Sequence, residues 1–191
     1  MDLGTIRRKM MFAAVFGFAS MVGFAGHASI FARGDEDGEI TIVAQDDDEA
    51  HEVLTKAVAA AKVSLQQGLM ASEQEGRPIS GKFELNEEKL QLSVYTAKDG
   101  KFSEELVDYT TGKVVKVEAI TNGDDLAVAN AQNAAMSKAR TSLKDAVDKV
   151  VREAAGSRAV IAAPSLKNGH PIATVLLLIG EQFKIVDQSL E

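Results

Sequence analysis

The sequence is partly written twice. Asp46-Asp47 recurs as Asp124-Asp125, and Lys62-Val63-Ser64-Leu65 recurs as Arg140-Thr141-Ser142-Leu143, both at an offset of 78 residues. Gly76 recurs as Gly156, where the offset has grown to 80. A chain with such self-similarity is expected to fold as stacked or paired copies of one supersecondary unit. The repeat therefore sets the expected boundaries: a first unit over 48–122 and a second, shorter one over 123–191.

Each unit opens with an Ala-rich helical stretch. In the first, Leu54, Val58, Ala61, Leu65 and Leu69 recur at three- and four-residue steps and form one apolar stripe. In the second, Val128, Ala131, Ala135, Ala139, Leu143, Val147, Val150 and Ala154 give the matching stripe. Ser64 with Gln67, and Ser142 with Asp145, have capping-box spacing, so each region is either two helices with a capped joint or one helix bent there. Strands follow. Ile79, Phe83 and Leu85 share a face of the first, and Leu90, Leu92 and Val94 alternate with Gln91, Ser93 and Tyr95 in the second. Lys98-Asp99-Gly100-Lys101 reads as a hairpin turn, Phe102 to Tyr109 as a third strand, and Val114 to Ile120 as a fourth. The second unit has strands over 158–166, 171–179 and 182–189, with a turn at Lys167-Asn168-Gly169-His170, and no fourth strand. The expected class is α+β: two repeated units, each an Ala-rich helical segment packed on a three- or four-stranded antiparallel sheet.

Most of these strands alternate, which marks sheets with one wet face. The strand from Ile172 to Ile179 does not. Ala173, Val175, Leu177 and Ile179 lie on one side, Ile172, Leu176 and Leu178 on the other, with Thr174 the only polar residue. Such a strand must be covered twice. Its own helix, near Val147 and Val150, covers one side. The first unit packing sheet against sheet or sharing a core, a second copy, a foreign polypeptide or the linker must cover the other.

The N-terminus reads as an address. Arg7, Arg8 and Lys9 precede an uncharged run rich in Phe, Ala, Val and Met, and Gly26-His27-Ala28 offers small residues where a signal peptidase cleaves. Residues 1–28 are expected to be a signal peptide. The alternative is an uncleaved N-terminal membrane anchor, because the run from Met10 to Ala32 has no charge over 23 residues. Either way the body is expected to be extracytoplasmic, periplasmic or secreted. Residues 29–47 hold Gly34-Asp35-Glu36-Asp37-Gly38-Glu39 and are read as an acidic linker. The Asp35-x-Asp37-Gly38 spacing lacks the remaining ligands of a calcium loop.

Composition removes whole classes of chemistry. The chain has no cysteine, which excludes disulfides, thiolate metal sites and cysteine nucleophiles. Its formal net charge is −7, which argues against nucleic acid as a partner. Without Trp and with two Tyr, it has few aromatic platforms for single strands. There is no Gly-x-Ser-x-Gly elbow, phosphate loop or dinucleotide fingerprint. His27 falls in the signal, His51 in an acidic helix start beside Asp47 and Asp48, and His170 in a turn before Pro171. No catalytic, cofactor-binding or metal-ligating residue is nominated, and the chain is read as a non-enzyme.

One stretch is more specific. Val107-Asp108-Tyr109-Thr110-Thr111-Gly112-Lys113-Val114 closes a strand with a Thr-Gly turn, in which Asp108 and Thr111 supply local hydrogen bonds and Gly112 a positive φ. Together with Ser64-Leu65, Gly76 and Leu90-x-Leu92-x-Val94-Tyr95, it resembles the PepSY family. The second unit is similar through Ser142-Leu143, Gly156 and Asn168-Gly169-His170-Pro171, but lacks the Thr-Gly turn and the final strand. The resemblance implies an exported, non-enzymatic protein that restrains peptidases or binds polypeptide in the cell envelope. It implies no cofactor, and a peptidase or other envelope protein as partner. Two other readings stand beside it: a structural or sensory envelope protein, and a module that responds to divalent cations through its acidic runs.

Overall fold

The computed structural model describes residues 31–34, 40–43, 48–86 and 89–191. The signal or anchor, the Asp35–Asp37 loop, Asp46 and Asp47 lie outside these residues. Within the stretch read as a linker, β1 (Phe31–Gly34) and β2 (Ile40–Val43) pair as an antiparallel hairpin.

The helical regions are α1 (Asp48–Ala60) and α2 (Leu65–Ser72) in the first half, and α3 (Gly123–Lys138) and α4 (Leu143–Glu153) in the second. Both joints are breaks between two helices, not bends in one. At the first, Ser64 Oγ accepts from the Gln67 backbone N–H, and the Gln67 side chain accepts from the Ser64 N–H, which completes a capping box. At the second, Ser142 Oγ accepts from the Asp145 N–H. Each joint also docks on a strand end in its own half. The Tyr109 carbonyl accepts from the N–H groups of Lys62 and Val63, both at 3.0 Å, and the Leu190 carbonyl accepts from Arg140 at 2.7 Å and Thr141 at 3.0 Å.

The stripe through α1 and α2 is as expected: Leu54, Val58, Ala61, Leu65 and Leu69 are all buried. The stripe on α3 is rotated from its expected position. Ala129, Gln132, Ala135 and Met136 are buried, Val128 is half-buried and Ala131 is exposed. Alanines ring this helix, so its sequence carries almost no period from which a face could be read.

The strands are β3 (Arg77–Asn86), β4 (Lys89–Lys98), β5 (Lys101–Val107), β6 (Val114–Ile120), β7 (Ser157–Lys167), β8 (His170–Ile179) and β9 (Gln182–Ser189). The two-residue turns at Asp99-Gly100 and Asn168-Gly169 hold positive φ at each central residue, 52° and 72° in the first and 53° and 82° in the second, the geometry that matches strand twist. All seven strands join one antiparallel sheet in the order β6-β5-β4-β3-β7-β8-β9. The halves meet where β3 pairs with β7, Gly81 opposite Ala162 and Lys82 opposite Ile161. They join edge to edge in one sheet, not sheet against sheet, and their buried apolar side chains form the shared core that the sequence offered as the other possibility. The physical gain is direct. Pairing the first strands removes two open edges at once.

Two arginines tie the join. Arg77, at the start of β3, donates to the Met136 carbonyl at 3.1 Å and to Asn133 Oδ1 at 2.6 Å, both on α3 of the other half. Arg158, near the start of β7, donates to the Val63 carbonyl of the first half at 3.0 Å. The clasp is reciprocal.

Cross-strand partners share a face, so the register sorts the sheet into two sides. Gly81, Phe83, Leu92, Val94 and Val107 share one side with Ala162, Val175 and Leu177. Helix α2 lies close on it: a Cβ built on Gly68 would come within 2.7 Å of a Leu92 methyl carbon, so a larger residue there would make the buried Leu92 side chain shift. Helix α4 touches α2 and packs on β7 and β8, with Val147 and Val150 buried. The other side is not wet at its centre, as alternation had suggested. Ser93, Tyr95, Ile161, Leu176 and Leu178 on that side are all buried. Strand β8 is therefore core on both sides, with Leu176 3% and Leu177 0% exposed, and it offers no face for a foreign polypeptide.

Candidate functional site

The chemistry of this molecule concentrates on β4 and β5. Glu104 and Glu105 are adjacent in β5 and so point to opposite sides of the sheet. Glu105 stands across from Val94 on the α2 side and is fully buried. One of its oxygens accepts from Thr96 Oγ1 at 2.9 Å and from Ser103 Oγ at 2.8 Å. The other, Oε2, has no hydrogen-bond partner. Burial pushes its carboxyl up to about 7, against the pull of the Ser103 and Thr96 hydroxyls, and the nearby charges of Glu75 and Glu104 add to the rise.

Glu104 stands across from Tyr95 on the other side, and both are buried. Burial raises its pKa above the ordinary carboxylate value, while hydrogen bonds with Ser93 and Tyr95 and the charge of Lys82 pull it back. Burial, together with the negative charges of Glu104, Glu84 and Asp125, raises the Tyr95 phenol well above its usual range. The same side carries a chain of polar contacts. Gln91 Nε2 donates to Ser93 Oγ at 2.9 Å, Ser93 Oγ donates to Glu84 Oε1 at 3.2 Å, and Lys82 Nζ lies 2.6 Å from Glu84 Oε2. These residues looked like the wet face of an alternating strand. They form a closed polar layer whose members satisfy one another.

The Thr-Gly turn has the local structure its residues imply. Asp108 Oδ1 accepts from the Thr110 N–H at 2.9 Å, the Thr111 N–H at 2.7 Å and the Thr111 hydroxyl at 3.0 Å. These bonds, the Thr111 N–H first, hold the Asp108 carboxyl below its usual range. Gly112 has φ 74°. Beside this turn lies an open groove of about 420 Å³ bounded by Lys89, Gln91, Leu106, Asp108, Tyr109 and Val115.

The sheet has two terminal strands, β6 and β9. Val115 and Val117 of β6 are 66% and 47% exposed, and Ile185 of β9 is 51% exposed. His51 and His170 make structural contacts. The His51 ring nitrogen Nε2 is 2.9 Å from the Glu181 carbonyl, and its ring packs edge-on against Phe183. His170 Nδ1 is 2.7 Å from Glu191 Oε1. Among the described residues no group of three or more His, Asp or Glu is arranged to hold a metal ion.

Compared with family models, curated proteins and solved structures, the chain matches none.

Proposed function

We propose that the chain is an exported, non-enzymatic protein of the PepSY type, built from two copies of one unit, that restrains a peptidase or holds another polypeptide in the cell envelope. The observation that carries this reading is the outer edge of β9. The second half has three strands where the first has four, so β9 ends the sheet with Ile185 exposed. An extended polypeptide recognises such an edge by adding a strand: its backbone pairs with the open N–H and C=O groups, and its alternate side chains meet the exposed ones. Export rests on the basic start and the small-x-small end at Gly26 and Ala28.

The test uses the protein produced in its own cell, whose intact mass reports removal of residues 1–28. Immobilised, that protein is expected to retain a peptidase from the envelope fraction and to slow it in solution. Ile185→Asp is expected to abolish both effects without lowering the melting temperature by more than a few degrees. Retention that survives Ile185→Asp, or no retained peptidase or other polypeptide, would contradict the reading.

A further inference from the structure

The other terminal strand has a different character. Beta strand β6 reads Val114-Val115-Lys116-Val117-Glu118-Ala119-Ile120, and among the described residues no strand pairs with its outer edge. Two identical strands that pair antiparallel are related by a two-fold axis perpendicular to the sheet, and cross-strand partners share a face. Such a strand must therefore pair about one of its own residues. About Val117, Lys116 falls opposite the second copy's Glu118 and Glu118 opposite its Lys116. Val117 falls opposite itself, Val115 opposite Ala119 and Val114 opposite Ile120. Moving the centre to Lys116 or to Glu118 sets like charges against each other, which destabilises a ladder. Centring on Val115 or Ala119 opposes no like charges but pairs only three residues of β6, so the register about Val117 alone uses the whole strand and opposes unlike charges.

We propose that β6 is a self-pairing edge: two copies of this chain join β6 to β6, antiparallel about Val117, and continue the sheet across both molecules. A second feature of the same strand supports this. Glu118 lies directly across the β5–β6 ladder from Glu104, so two acids stand side by side in one row of the sheet. The second copy's Lys116 extends that row with a cation on the outer side of Glu118. Within one chain Lys116 reaches Glu118 at 2.8 Å, and their side chains are 55% and 45% exposed, so both are open to exchange partners. The β9 edge cannot do the same. Lys184 and Asp187 lie on opposite faces of β9, so no two-fold register opposes them, and Asp187 is already held by Lys167 at 3.0 Å and Thr174 at 2.9 Å.

The register of β6 on β5 shifts between Leu106 and Val107, leaving Val115 as the extra residue. Such a bulge shortens the regular edge. The paired surface is accordingly small, and the association is weak and concentration-dependent.

Sedimentation of the full chain over a concentration series tests this. The wild-type protein is expected to pass from monomer to dimer. Lys116→Glu alone, and Glu118→Lys alone, each oppose like charges twice and are expected to weaken the dimer by about tenfold or more. The double variant Lys116→Glu/Glu118→Lys restores opposite charges and is expected to recover the wild-type association. The two single variants, mixed, are expected to pair with each other better than with themselves. Circular dichroism and melting close to wild type would show that the variants fold. A chain that stays monomeric at every concentration, or a dimer that the single swaps leave unchanged, overturns the proposal. So does a monomer that takes up a foreign extended peptide along β6, which would assign the edge to another occupant.

Discussion

Set side by side, the two halves of the sheet share an order of two helices and three strands, with a fourth strand in the first half, and carry different chemistry. Tyr95 faces Glu104 across β4 and β5, while Leu176 faces Ile185 across the corresponding β8 and β9. Thr96 faces Ser103 in the first half, and Leu177 faces Lys184 in the second. The difference follows from one strand. Because β6 lies outside β5, the acids of β5 are enclosed, Glu104 at 6% and Glu105 at 0% exposure, and they survive burial because hydroxyls meet them. Among the described residues nothing lies outside β9, and Ile185 remains half open there. An added strand changes what its neighbour carries. It turns an edge open to water into an interior, where a polar atom left without a partner, such as Glu105 Oε2, makes the charged form of its group costly.

The largest effects should come from the apolar half. Leu176→Asp and Leu177→Asp point to opposite sides of β8, and both sides are buried. Both variants are expected to unfold the protein, each costing several kcal/mol for a buried unpaired charge. Thermal melts check it; a variant at either position that melts like wild type would mean that one side of β8 is open.

The polar half should instead answer to pH. Glu105 has a folded pKa raised to about 7, from an ordinary 4.5. Between those values the native state holds a proton that the unfolded chain has lost. Its stabilising contribution is complete below the ordinary pKa and is lost as pH rises through about 7. Glu104 has a folded pKa shifted in the same direction. The wild-type protein is thus expected to be less stable at pH 8 than at pH 5, by between about 2 and 3 kcal/mol from Glu105 alone. Glu105→Gln should remove that share and leave the smaller slope due to Glu104. Chemical denaturation at the two pH values measures both. A Glu105→Gln protein with an undiminished slope would place the effect elsewhere.

Where the halves agree, equal losses are expected. Ser64→Ala and Ser142→Ala each remove a side-chain acceptor at a helix N-terminus and should cost about 1 kcal/mol apiece. Denaturation midpoints would show it, and a much larger loss at one serine would mean that the joints are not equivalent.

What the sequence disclosed, and what it hid, divides along the same physical line. The caps at Ser64 and Ser142, the Asp99-Gly100 and Asn168-Gly169 turns and the positive φ of Gly112 were legible because each depends on a few neighbouring residues. The stripe from Leu54 to Leu69 was legible because its period is strong. The join between β3 and β7 was not, since Gly81 and Ala162 are far apart in the chain and carry no local mark of their pairing. The apolar β8 announced that it needed two covers, but not that its neighbours in the sheet would be β7 and β9. Glu104 and Glu105 passed as ordinary strand residues, because their burial depends on β6 and on helices packed from elsewhere. The reach of Arg77 to α3 and of Arg158 to Val63 was hidden for the same reason.

Joined through β3 and β7, the halves are one sheet and are expected to unfold as one cooperative unit. Hydrogen exchange of Leu177→Ala tests it most directly. This substitution removes most of a fully buried side chain from the second half, a change that typically costs about 2–5 kcal/mol. If the halves unfold together, the slowest amides of the first half, at Phe83 and Leu92, should lose protection by the same free energy as those of Ala162 and Val175. If the amides of Phe83 and Leu92 keep their wild-type protection while Ala162 and Val175 lose theirs, the halves open independently and the account of a single shared sheet is contradicted.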